Sequence, residues 1–147
     1  MNIPSILLRG FTGAFILQSG LGKRGMDVEG YKGLQEMAAT GIPKLGELDP
    51  EDFGAFITYS EIGIGSALLC PVVPNKLAGA ALGAFSAGML SMYFGNPAMT
   101  QDDGIRPSQE GTPLAKDGFM AAIAAALFFL PGKKKSLGDK LKAKLGK

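Results

Sequence analysis

Arg9 and Glu61 are the residues in this sequence with most chemistry to offer, because each stands as a lone charge inside a long apolar run. An ionisable side chain in such a run costs roughly 2.5–3.5 kcal/mol on membrane-insertion scales, so it carries a partner or a purpose. Gln18 and Tyr59 add an amide and a phenolic hydroxyl nearby, and the four together form a candidate intramembrane polar layer. Helices rise 1.5 Å per residue, which puts Arg9 about 9 Å, Glu61 about 20 Å and Gln18 about 22 Å from the same edge. Gln18 is therefore expected level with Glu61, near the midplane. Arg9 is expected either to reach Glu61 with both side chains extended or to snorkel to the headgroups. Gln18 and Tyr59 are the other partners in reach of Glu61. Acid–base work in this chain would fall to Glu61 or to a Lys with a shifted pKa.

Two absences bound the chemistry further. The 147 residues include no His, and Cys70 is the only Cys. Haem ligation usually takes a His, iron–sulfur clusters take several Cys, and zinc takes about four ligands, mostly Cys and His. This chain alone is expected to hold none of them, and no metal site is assigned. One Cys forms no internal disulfide, and Cys70, beside Pro71, reads as a packing residue. Met89, Met92 and Met99 have apolar neighbours, so they read as core and not as soft-metal ligands. A net charge of +2 gives no reason to expect nucleic acid. No catalytic residue stands out, and the balance leans away from an enzyme.

The elements that must position these residues are long apolar segments. Crossing a bilayer core takes about 20 apolar residues as a helix. Four segments meet or approach that length, at about 3–22, 53–74, 77–97 and 114–131. Asp49 before Pro50 reads as an N-cap with Pro at the first helical position, and Thr112 before Pro113 repeats the pattern. Pro71 and Pro74 mark a tight connection, with Asn75 and Lys76 in the turn. In the longer connection at 23–52, Val28, Tyr31, Leu34 and Ala38 share one helix face, as a short interfacial helix would. The predicted fold is all-α, a polytopic four-transmembrane-helix bundle over residues 1–132. The N-terminus lacks the basic leader of a secretory signal, so the first span is expected to be retained.

Residues 133–147 differ in character. Of fifteen Lys and Arg, seven follow residue 132. Lys133, Lys134, Lys135, Lys140, Lys142 and Lys144 surround Leu137, Leu141 and Leu145, which recur every four residues. This reads either as a basic amphipathic helix on an anionic lipid surface or as a solvated tail. With four spans, the side of the termini holds eight Lys, and the other side holds six Lys and Arg. That bias places both termini in the cytoplasm.

Gly79 and Gly83 are four residues apart and Ala87 continues the stripe. Small residues at this spacing let membrane helices approach closely. Ala121 and Ala125 on the fourth span offer a matching surface, and a homodimer through the stripe is the alternative.

These motifs, taken in order, resemble the DoxX family of small bacterial membrane proteins. Leu8-Arg9-Gly10, then Gln18-Ser19-Gly20-Leu21-Gly22-Lys23, is similar to that family's opening pattern. Glu61 with Gly63 and Gly65 is similar to its second helix. Pro131-Gly132 and Ser136-Leu137-Gly138-Asp139 resemble its close, with Gly138 interrupting the last triplet. The resemblance implies a multi-pass protein of the bacterial inner membrane. It also implies a non-catalytic subunit or scaffold in a redox or respiratory-chain assembly, with other subunits of a membrane oxidoreductase and membrane lipids as partners. The alternative is a small carrier or binding protein for a quinone, lipid or small solute, using Arg9, Gln18, Tyr59 and Glu61. Neither role requires a cofactor held by this chain.

Overall fold

The computed structural model describes residues 3–130, and every helix and strand assignment among them is helical. The lysine-rich tail and the Pro131–Asp139 motif lie outside the described residues. The helices are α1 (Ile3–Lys23), α2 (Val28–Gly41), α3 (Pro50–Leu69), α4 (Asn75–Gly95), α5 (Thr112–Ala115) and α6 (Asp117–Phe129). Short 3-10 turns occupy Pro43–Glu47 and Pro97–Met99. Two stretches are long and apolar enough to cross a membrane, Asn75–Gly95 and Thr112–Phe129, the latter running through α5 and α6.

Local chemistry explains the boundaries. Asp49 caps α3 by accepting from the Glu51 N–H at 3.0 Å, with Pro50 at the first position. Asp27 caps α2 through the Gly30 N–H at 2.9 Å. Thr112 is not a cap, contrary to the sequence expectation. It lies inside α5, behind Gly111, and its hydroxyl donates to the Ser108 carbonyl. Asn75 likewise opens α4 instead of sitting in the turn, which is confined to residues 70–74.

The packing is organised as two close pairs. As α1 advances from Gly13 through Leu17 to Gly20, α3 retreats from Leu68 through Gly65 to Glu61, so the two run antiparallel. A Cβ at Gly65 would stand 2.6 Å from the Leu17 backbone nitrogen, and one at Gly20 would stand 2.9 Å from the Glu61 Cβ. Only glycine allows this approach. Helices α4 and α6 pack in the same manner. A Cβ at Gly79 would meet the Ala124 carbonyl at 2.8 Å, and Gly83 lies over the Ala124 Cβ. The Gly79–Gly83 stripe thus packs inside the bundle. Its partner is buried Ala124, not Ala121 or Ala125, and Ala87 is exposed.

Two apolar clusters hold these pairs together. Ile16, Leu68, Ala78, Leu82, Ala124 and Leu127 join α1, α3, α4 and α6. Ala38, Phe53, Met92, Tyr93 and Leu114 gather α2 to α5 at the other end. Helix α2 packs against both α3 and α4. Gln35, buried, ties α2 to the following turn by donating to the Leu45 and Leu48 carbonyls at 2.8 and 2.7 Å. The loop after α4 folds back as a narrow hairpin through the Thr100–Pro107 bridge and Gly104, whose φ of 69° suits glycine. Tyr93 Oη donates to the Ile105 carbonyl at 2.7 Å and pins this loop to α4. At its tip the Arg106 guanidinium holds the Asp103 carboxyl below the usual range.

Candidate functional site

The four residues of the expected polar layer separate into different environments. Arg9 and Glu61 are both buried, at 1% and 4% exposure, but they do not meet. Tyr59 is 66% exposed, and Gln18 also faces outward. Pairing of Arg9 with Glu61, snorkelling by Arg9, and partnership of Glu61 with Gln18 or Tyr59 are all replaced by other contacts. The reason is register. The α1–α3 glycine approach sets Arg9 against the turn after α3 and sets Gly20 against Glu61. Glu61 is therefore level with the last turns of α1, well away from the middle of that helix.

Arg9 spends all five guanidinium donors. Its Nε donates to the Leu68 carbonyl at 2.8 Å. One terminal nitrogen donates to the Val73 carbonyl and Asn75 Oδ1, and the other to the Ala67 and Cys70 carbonyls, all between 2.7 and 2.9 Å. Ala67 and Leu68 lie in the last turn of α3, whose carbonyls have no intrahelical donors, and Cys70 is its C-cap residue. They also carry the negative end of the helix dipole. Ser5 Oγ donates to Asn75 Oδ1 at 2.8 Å, joining α1 to α4 at the same end. Cys70 contributes its backbone carbonyl to this knot.

Glu61 is held by Lys23. The ammonium lies 3.0 and 2.8 Å from the two carboxylate oxygens and donates to Ser19 Oγ at 2.7 Å. Tyr31 Oη donates to the Lys23 carbonyl at 2.8 Å, so α2 braces the same residue. Lys23, Ser19, Ser5, Asn75 and Asp117 were not singled out from the sequence as site residues. The signal available for Lys23 was its place one turn beyond Ser19 and Gly20.

Helices α3 and α4 are consecutive yet hardly touch. Between them lies a cleft of about 380 Å³, closed at one end by α2 and the turn after it. Ile57, Ile64, Ala81, Phe85, Met89 and Met92 are among its walls, and Ser60 contributes the single polar side chain among the described lining residues. Phe85 and Met89 also wall a second, smaller cavity of about 70 Å³, where Ser19, Glu61 and Asp117 meet Phe15, Ile16 and Met120. Met89, Met92 and Met99 pack in or against the second apolar cluster, and Met89 and Met92 also line the cleft.

This arrangement can hold an apolar body in the cleft beside a small polar chamber. Among the described residues no group of three or more His, Cys, Asp or Glu is placed to hold a metal ion. No protein-family model, no curated protein and no solved structure matches this chain.

Proposed function

We propose that this protein crosses the bacterial inner membrane four times and binds a small apolar molecule, such as a lipid chain or quinone, in the cleft between α3 and α4. The cleft carries the reading. Its volume of about 380 Å³ falls in the range of small-molecule sites, roughly 300–1,000 Å³, and such sites are mostly apolar with few polar groups. Two spans are the apolar stretches Asn75–Gly95 and Thr112–Phe129. Helices α1 and α3 supply the others. At 21 and 20 residues they match the length of a span, and Arg9 and Glu61, the charges in their interiors, are enclosed at internal contacts. Ile3, Leu7, Phe11 and Phe15 on α1 and Phe119 and Phe129 on α6 are exposed, as lipid-facing side chains are.

Two measurements test this. Reporter fusions at Lys147 and at Asp103 should show opposite sidedness, with the C-terminus cytoplasmic. A periplasmic C-terminus overturns the topology. Gly88 lines the cleft, and a Cβ there meets nothing within 4 Å. Gly88→Leu is therefore expected to fill the cleft without unfolding the chain. Protein extracted in mild detergent should carry a stoichiometric lipid or quinone, and the variant should lose it. Equal occupancy in the two proteins removes the cleft as the binding site.

The subunit or scaffold role implied by the DoxX resemblance rests on that resemblance and on the ordered, exposed loop at 96–111. Stable co-purifying proteins that remain with Gly88→Leu would favour it.

A further inference from the structure

The small cavity beside Glu61 carries an imbalance of charge. The Lys23 ammonium is committed to both oxygens of Glu61 and to Ser19 Oγ. Asp117, across the same cavity, receives no hydrogen bond and no ion pair from any described residue. Lys116 precedes it in the chain but is exposed and makes no ion pair within the described residues. Two carboxylates and one ammonium therefore surround the chamber, leaving one acceptor charge unmatched. A carboxylate half removed from water without a donor is costly.

We propose that this chamber is the headgroup site of the cleft and that it takes a primary ammonium on an apolar chain, in short a lipophilic amine. The inference rests on the cleft being a ligand site. Size admits the head. A cavity of about 70 Å³ has room for an ammonium, a group of about the volume of a water at roughly 30 Å³. Chemistry restricts it. Asp117, Glu61 and Ser19 present acceptors, so the head must donate, and a positive charge balances the unmatched carboxylate. Position allows the span. Phe85 and Met89 are common to both cavities. Methionine is unbranched and adaptable, so a turn of the Met89 side chain joins head chamber to cleft.

The test uses the detergent-purified full chain with octylamine, octanol and octanoate, which share one tail. Affinity is read by calorimetry and by shift of the melting temperature. Octylamine is expected to bind about tenfold tighter than octanol, because it adds an opposite charge to the hydrogen bond that both can make to a carboxylate, and octanoate weakest. Asp117→Asn, at a residue with no structural hydrogen bond, should reduce octylamine to the level of octanol and leave octanol unchanged. Gly88→Leu should weaken both. Equal binding of octylamine and octanol by the wild type, with both lost in Gly88→Leu, keeps the cleft and overturns the ammonium site. Tightest binding by octanoate also overturns it, by assigning the head to Lys23. An undiminished amine preference in Asp117→Asn overturns the role of Asp117. No binding of any of the three removes cleft and head site together.

Discussion

Arg9→Ala is expected to cost about 3–5 kcal/mol of stability, because several buried acceptors lose their donor at roughly 1–3 kcal/mol each. The alanine leaves the Ala67, Leu68 and Val73 carbonyls without their side-chain donors, while Asn75 Oδ1 keeps Ser5 Oγ and the Cys70 carbonyl keeps the Val73 N–H. Water cannot easily replace those donors, because Arg9 is 1% exposed. Buried acceptors without donors carry their full desolvation cost. Arg9→Lys is the informative companion. It keeps the positive charge at the end of α3 but offers three donors on a single nitrogen, against five in a planar fork. It should therefore recover part of the loss, on the order of half. Thermal unfolding in detergent measures both. Wild-type stability in Arg9→Ala would show that the guanidinium contacts contribute nothing and that α1 is held by its glycines alone.

The second large effect belongs to Lys23 and Glu61. Lys23→Met leaves the Glu61 carboxylate, 4% exposed, facing an apolar side chain. Glu61→Leu strands the ammonium in turn. Each single change is expected to cost about 3 kcal/mol. The double variant Lys23→Met with Glu61→Leu replaces a buried pair by apolar groups of similar volume, which is often neutral. It should lie within about 1 kcal/mol of wild type, a coupling of several kcal/mol in a double-mutant cycle. Additive losses would mean that the 2.8 Å contact carries no interaction energy. For the proposed amine site, ligand binding separates from stability here, because the double variant is expected to fold while the small cavity loses one of its two carboxylates.

The helices themselves were legible. Apolar runs of about twenty residues, the Asp49–Pro50 cap and the one-faced spacing of Val28, Tyr31, Leu34 and Ala38 foretold α1, α3, α4 and α2. The Gly79–Gly83 stripe was legible as a close approach. The partners of Arg9 were not, because backbone carbonyls leave no trace in side-chain types. Any residue can supply one, and which are free depends on where α3 ends. The partner of Glu61 was missed for a different reason. A depth count that took the second span to end at about residue 74 ran past the true end of α3 at Leu69 and treated α1 and α3 as level at their ends. The glycine contacts at Gly13, Gly20 and Gly65 instead slide α3 beyond α1, bringing Lys23 within reach. Tyr59 and Gln18 were expected to turn inward on polarity alone. On their helices the inward face belongs to Thr58 and Glu61, and to Ile16 and Gly20.

The gap between α3 and α4 is framed at both ends. Arg9 and Asn75 tie the helices where the turn joins them, and α2 bridges them at the far end. Phe56 and Ala84 line the gap and are exposed, so its mouth lies on the side, between the two helices. If the chain spans a bilayer as proposed, such a mouth opens onto the acyl chains and not onto the aqueous phases. Occupancy of the proposed site would then follow the mole fraction of the guest among the lipids, with arrival by two-dimensional diffusion in one sheet. A guest scarce in water but enriched in the bilayer would saturate it. A stronger binder that never partitions into the bilayer would stay outside.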